Sequence, residues 1–367
     1  MKFTVERESL LRPLQLTTGV VERRQTLPVL SNLLIEATGD SISITGTDLE
    51  VEVVVTASGI KVEREGTATI PARKLADIWR SLPDQASVSI ATDENKTIVR
   101  SGKSRFTLAS LPAEDFPRVE AQSGDVSVVC QHNDFRRLLE KTSFAMAQQD
   151  VRYFLNGLML EITGDHMRTV ATDGHRLAMC TVGGGVDGIE KIQSIVPRKG
   201  VLELQRLVSE GTDDITLSMG RNHLRVTRGS YTLTTKLVDG KFPPYESVIP
   251  KVTGQVMIGD RDTLKQAFHR AAILSNEKFR CVRLMLKNEQ LTVEANNPDQ
   301  EEAEEIVPVE YQGEDLEIGF NVGYLQDVLN VLDTEVVKLS VADANSSALI
   351  EGDNSEDTTY VVMPMRL

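Results

Sequence analysis

The chain is poor in the features that mark several common protein classes. It has only three cysteines, Cys130, Cys180 and Cys281, odd in number and far apart. That spacing excludes a CxxC metal or redox pair and fits reduced thiols and a cytoplasmic location. No run of about 18 apolar residues occurs, which argues against a membrane-spanning helix. No apolar segment comes after the charges of MKFTVERESLL, so a secretory signal is not expected. GxxxxGK[ST] is missing, and with it ATP binding by a P-loop. The five histidines, His132, His166, His175, His223 and His269, lack zinc-ligand spacing. Gly183-Gly184-Gly185 and Gly188 do not form a dinucleotide fingerprint, because they do not lead into a helix of the required kind. Neither a cofactor nor a metal is therefore expected. Positive charge is also in deficit: 40 Lys and Arg stand against 54 Asp and Glu, a net charge of −14. Taken whole, that balance argues against nucleic acid as a partner.

What the sequence does have is internal repetition, across 367 residues and an ordinary 40% hydrophobic content. LSNLLIEATGD from Leu30 and LNGLMLEITGD from Leu155 stand 125 residues apart, and each leads to a Thr-Asp pair, Thr47-Asp48 and Thr172-Asp173. A weaker third copy, LMLKNEQLTVEANNPD, carries Asn296-Asn297 at that place. IPARKLADIWRSL, VPRKGVLELQRLV and FNVGYLQDVLNVL align Pro71 with Pro197 and Asn321, at offsets of 126 and 124. Their apolar residues (Leu75, Ile78, Trp79, Leu82; Val201, Leu204, Val208; Leu325, Val328, Leu329, Leu332) keep the i, i+3, i+4, i+7 rhythm of an amphipathic helix. Leu10 and Leu14 likewise match Phe135 and Leu139, then Leu264 and Phe268, and give each repeat an opening helix. Alternating stretches such as VSIAT, ITLSM, LRVTR and VKLSV read as half-buried strands. The expected architecture is α+β: three tandem domains of helix, strands, helix, strands, at 1–122, 123–250 and 251–367.

The charge deficit is unevenly spread. The expected helices carry Arg7, Arg12, Arg23 and Arg24; Arg73, Lys74 and Arg80; Arg136, Arg137 and Lys141; Arg198, Lys199 and Arg206; Lys265 and Arg270. The sixth departs from this with Asp327 and Asp333, and acid dominates at Asp299, Glu301, Glu302, Glu304 and Glu305. Mildly basic helices on an acidic body could attract phosphates without reading bases. Surface helices are also commonly rich in Arg and Lys for solubility alone.

Asp173-Gly174-His175-Arg176 invites an acid–base reading, but Thr47-Asp48-Leu49-Glu50 holds the same repeat position without a histidine. No nucleophile or base partner is evident. Two other classes compete for the same residues: a metal-dependent nuclease or nucleotidyltransferase using the acidic side chains, and an interaction scaffold unrelated to DNA.

TLPVLSNLL, GTDLE, SRFTL, QDVRYFLNG, TVATDGHRLA, VPRKG, KLVDGKFP, AAILSNEKFRCVRL, EEAEEI and the terminal YVVMPMRL resemble the bacterial DNA polymerase III beta subunit family, the replicative sliding clamps, along the whole chain. The resemblance implies three tandem repeats of the DNA-clamp fold, two helices packed on antiparallel sheets, in a head-to-tail dimeric ring with helices lining the hole. It implies a non-enzymatic processivity factor that encircles duplex DNA without sequence preference. A clamp loader would open the ring, and replicative and translesion polymerases and repair proteins would dock through short peptides.

By the same resemblance, Arg24, Arg73, Gln149, Tyr153 and Phe154 would contact DNA, Phe154 standing where many relatives have Tyr. A peptide pocket would comprise Leu155, Thr172, Gly174, His175, Arg176, Leu177, Pro243, Val248, Ser347, Val361, Val362, Met363, Pro364, Met365 and Arg366. Ser247 and Pro244 replace a common Arg and Asp near its rim. In the dimer, Lys74, Lys103, Arg105, Phe106 and Leu108 of one copy would meet Ile273, Leu274, Asp299, Glu301 and Glu304 of the other.

Overall fold

A computed structural model of the chain describes residues 1–22, 27–119, 126–185, 188–251, 254–353, 355 and 357–367. Among the described residues are six α-helices: Arg7–Gly19 (α1), Ala72–Ser81 (α2), His132–Thr142 (α3), Arg198–Leu207 (α4), Arg261–Ala272 (α5) and Val322–Val331 (α6). Each forms where the apolar spacing requires it. Leu10 and Leu14 of α1, Leu75 and Trp79 of α2, Phe135 and Leu139 of α3, Val201 and Leu204 of α4, Leu264 and Phe268 of α5, and Leu325 and Leu329 of α6 are all buried. The ends have local causes as well. Asp260 caps α5 by accepting from the Thr263 amide at 2.7 Å, and Asn321 caps α6 by accepting from the Gly323 amide at 2.9 Å.

The repeat differs from expectation at its start. A strand precedes the first helix each time: Lys2–Glu6, Val126–Cys130 and Gln255–Asp260. These strands are five or six residues long, and the first two run into their helices without a Gly or Pro break, so little in the sequence marks the boundary between strand and helix there.

The chain forms two compact units, residues 1–136 with 199–237, and residues 137–198 with 238–367. They do not coincide with the repeats because sheets run on from one repeat to the next. In the first unit, Tyr231–Lys236 pairs antiparallel with Val51–Ser58, Leu233 opposite Val53, inside an eight-stranded sheet. A five-stranded sheet built on Lys2–Glu6 completes that unit. In the second, Arg176–Gly183 pairs with Thr358–Val362, Leu177 opposite Val361, inside a nine-stranded sheet accompanied by a four-stranded one.

Helices pack closely on these sheets. A Cβ at Gly46 would lie 2.2 Å from the Thr17 carbonyl oxygen of α1, so only glycine permits that approach. Arg7 and Trp79 bind α1 to α2 reciprocally, the indole nitrogen donating to the Arg7 carbonyl at 2.8 Å and Arg7 Nε to the Trp79 carbonyl at 3.1 Å. In the second unit Arg137 donates to Asp357 at 2.7 Å and to Asp333 at 2.6 Å. No helix among the described residues is long and apolar enough to cross a membrane.

Candidate functional site

The repeated Thr-Asp pair is a turn device. Thr47 Oγ1 donates to the Val51 carbonyl at 2.9 Å and accepts from the Leu49 amide at 3.1 Å. Thr172 Oγ1 does the same with the Arg176 carbonyl at 2.6 Å and the Gly174 amide at 3.1 Å. Asp48 accepts from the amides of Glu50 and Val51, and Asp173 from those of His175 and Arg176. Leu49 and Gly174 both have positive φ, 78° and 89°, a conformation that glycine adopts without steric cost. Asn297 takes the same part in the third copy, accepting from the Asp299 and Glu301 amides, with one more residue in the turn. Asp173 thus holds a hairpin together, which accounts for it without acid–base chemistry.

This second turn borders an apolar cleft of about 260 Å³ within the second unit, lined by Arg152, Phe154, Leu155, Thr172, Gly174, Arg176, Leu177, Pro243, Pro244, Tyr245, Val248, Val361 and Met363. Its floor rests on a core of Met159, Val170, Leu177, Tyr245, Leu349 and Val361. The two arginines on its walls are tied down. Arg176 pairs with Asp173 and Asp327, donates to the Phe144 carbonyl at 2.8 Å, and lies 4.5 Å over the Tyr324 ring. Arg152 chelates Asp150 at 3.0 and 2.8 Å and reaches the Asp173 carbonyl at 3.2 Å. Those hydrogen bonds hold the Asp150 carboxyl down to about 2. With both guanidiniums anchored, the cleft presents chiefly aliphatic and proline surface, suited to apolar side chains.

The structure brings nine of the expected pocket residues together here: Leu155, Thr172, Gly174, Arg176, Leu177, Pro243, Val248, Val361 and Met363. It does not place the other six on the lining. Val362 is fully buried, alternating with Val361 and Met363 along the chain. His175 is exposed beside the turn and stacks on Tyr324. Ser347 is half-buried just ahead of strand Ala348–Gly352. Past Met363 the tail leaves the cleft: the Met365 amide donates to the Gly319 carbonyl at 2.8 Å, and Pro364 lies between Met363 and that anchor. Arg366 and Leu367 line a separate depression with Cys281 and Glu304. Arg152, Phe154 and Tyr245 are lining residues not expected in the pocket, and Pro244, expected near its rim, lines it as well. The Pro-Pro-Tyr run was the available signal for Tyr245; the spacing gave none for Arg152.

Profiles described as the N-terminal, central and C-terminal domains of the DNA polymerase III beta subunit match residues 1–120, 130–244 and 246–366. The beta sliding clamps of Pseudomonas putida and Escherichia coli K12 are 54% and 49% identical to this chain, over 100% of each sequence. The chain belongs to the DNA polymerase III beta subunit family. Among solved structures, the DNA polymerase III subunit beta from Pseudomonas aeruginosa matches with a TM-score of 0.96 at 54% identity, covering 100% of both chains. A sliding clamp from Bartonella birtlesii bound to griselimycin matches at 0.95 with 38% identity, again over 100% of both. The role implied by the family is that of a DNA sliding clamp, a processivity component and not an enzyme.

The other residues expected to serve a sliding clamp are dispersed over both units. Arg24 lies outside the described residues. Arg73 is exposed on α2 and lines a groove of the first unit with Arg12, Arg80 and Arg206. Gln149 and Tyr153 are exposed in the second unit, and the Tyr153 and Phe154 rings meet edge-on at 5.9 Å. Lys103, Arg105 and Phe106 sit at or beside strand Ser104–Ala109, an outer strand of the five-stranded sheet, with Lys74 exposed on α2. Leu108 of that strand already faces inward and is buried. In the second unit Ile273 is 70% exposed and Leu274 partly so at the end of α5. Asp299, Glu301 and Glu304 are exposed in and before Glu302–Pro308, an outer strand of the four-stranded sheet. Ile306 on that strand, 57% exposed, was not singled out from sequence.

Proposed function

We propose that two copies of this chain join head to tail into a ring around duplex DNA, and that the cleft of the second unit receives short apolar peptides of partner proteins. The partners in this reading are a clamp loader, replicative and translesion polymerases, and repair proteins. The setting is the cytoplasm, and the three domains span 1–122, 123–250 and 251–367. The observation that carries it is the cleft itself, whose aliphatic lining has its two arginines tied to carboxylates and carbonyls. A Met and two prolines on the walls suit ligands of varied shape.

Two outer strands support the dimer. Ser104–Ala109 is flanked by Lys103 and carries Arg105, whereas Glu302–Pro308 carries Glu302, Glu304 and Glu305. Unpaired strand edges of opposite charge favour pairing with each other over self-pairing. A heterologous contact whose rotation closes gives a ring. Tethering a polymerase to such a ring makes its rebinding intramolecular. Arg73, Gln149, Tyr153 and Phe154, with Arg24, then need only light, non-specific contact to DNA. Weak contact is compatible with a net charge of −14.

Titrating the chain with a fluorescent hexapeptide carrying Leu and Phe side chains tests the cleft. Saturable binding abolished by Leu177→Asp is expected; binding indifferent to that change would reject the assignment.

A further inference from the structure

The wall from Pro243 to Val248 has little regular structure, only a three-residue 3-10 turn at Tyr245–Ser247. It is nevertheless fixed from two sides. On the outside, Ser247 Oγ donates to the Pro244 carbonyl at 2.8 Å. On the inside, Tyr245 turns its ring into the core among Met159, Val170, Leu177, Leu349 and Val361, and only 3% of it is exposed. Its hydroxyl accepts from Arg168 Nη1 at 3.1 Å.

Arg168 is itself immobilised. Its Nε donates to Thr181 Oγ1 at 2.8 Å, and its Nη1 lies 3.4 Å from Glu161 Oε1. The Glu161 side chain, 1% exposed, also takes Lys191 at 2.6 Å, Gln193 at 2.8 Å and His166 at 3.3 Å. Burial pushes the Glu161 carboxyl up, but hydrogen bonds from Lys191, Gln193 and His166 more than reverse this and leave it below its ordinary range. The carboxylate therefore stays charged and keeps its partners ordered. An antiparallel sheet does not need this charge cluster for its own pairing. Its end nearest the cleft is the Tyr245 hydroxyl.

We propose that Tyr245, held by Arg168, is the positioning residue of the peptide cleft, fixing the Pro243–Val248 wall in the shape that receives an apolar side chain. The inference rests on the peptide-binding reading of the cleft. A wall fixed before binding spares the complex the entropy of ordering it, so the pair raises affinity without touching the ligand through its polar atoms.

The test uses the full-length chain, the same labelled hexapeptide, and the variants Tyr245→Phe, Arg168→Lys and their combination, with a melting curve for each. Tyr245→Phe keeps the ring and removes one hydrogen bond, so peptide affinity falls about threefold to tenfold. Arg168→Lys weakens binding by a similar factor, and the double variant binds no worse than the weaker single. These losses appear far below the melting temperature, with the melting temperature nearly unchanged, which a merely structural role would not produce. Unaltered affinity in Tyr245→Phe, or losses that multiply in the double variant, would overturn the inference and leave the cleft reading standing. Should Arg168→Lys fail to fold, Tyr245→Phe alone decides. No binding by the unaltered chain overturns the cleft reading and this inference with it.

Discussion

The amide of Met363 donates to the carbonyl of His175 at 2.8 Å. The bond carries the pairing of Arg176–Gly183 with Thr358–Val362 one step past the end of the strand and sets Met363 against the turn that begins at Thr172. Met363 thus becomes part of the wall of the cleft. Two residues further on, Met365 is fastened to Gly319, where a Cβ would lie 2.8 Å from the Met365 carbonyl oxygen.

Deleting residues 363–367 removes that wall and its anchor together. Met363 is 39% exposed in the free chain, so a peptide can cover only that part of it; at about 1.5–3 kcal/mol for burying a whole Met-sized side chain, peptide affinity should fall at least about threefold. Sedimentation velocity should show the dimer intact, since no residue of the tail belongs to the proposed interface. Unchanged peptide binding would refute the cleft assignment.

Ile273→Asp with Leu274→Asp should give monomers. Ile273 stands largely in solvent in the single chain, so the circular dichroism spectrum should not change while the sedimentation coefficient drops. A dimer that survives both substitutions contradicts the interface.

Arg73→Ala should weaken DNA retention uniformly across sequences. One lost phosphate contact lowers the slope of log affinity against log salt by about 0.9. Peptide binding should stay as it was. An unaltered slope removes Arg73 from the DNA surface.

Glu203 offers a pH test. It is 5% exposed, and burial pushes its carboxyl above the ordinary range, the charge of Arg206 at 2.6 Å only partly opposing this. A raised carboxyl binds its proton more tightly in the folded chain, so ionisation at neutral pH costs stability. That cost disappears as the pH falls through the folded value towards the ordinary 4.5. Glu203→Gln should therefore raise the melting temperature at pH 7.5, with the gain shrinking as the pH falls and gone by about pH 4. A gain of equal size at both pH values would contradict the charge-burial account.

The helices and the repeat were legible because both depend on local spacing. Leu75 and Trp79, Val201 and Leu204, and Leu325 and Leu329 announce their faces within one or two turns. The opening strands were not legible: Lys2–Glu6 earns its place by pairing with Ser87–Asp93, some eighty residues on. Charge was only partly readable. Arg137 stands among the basic residues of α3 in the sequence, but it pairs with Asp333 and Asp357, about 200 residues away. The same holds for Lys199, which pairs with Glu22 and Asp48. For the cleft, the resemblance supplied a neighbourhood, and strand alternation then sorted Val361 and Met363 from Val362. Tyr245 escaped notice because its importance lies in a hydrogen bond from Arg168, 77 residues earlier.

Enclosure of DNA is the claim on which the rest depends, and cutting the DNA tests it most directly. The protein is loaded on a nicked circle with a clamp loader and ATP, isolated by gel filtration, and the circle is then cleaved once. Retention on the closed circle and prompt loss from the linear form is the predicted result. Equal retention before and after cleavage would mean that the chain grips DNA rather than surrounding it, and would contradict the account.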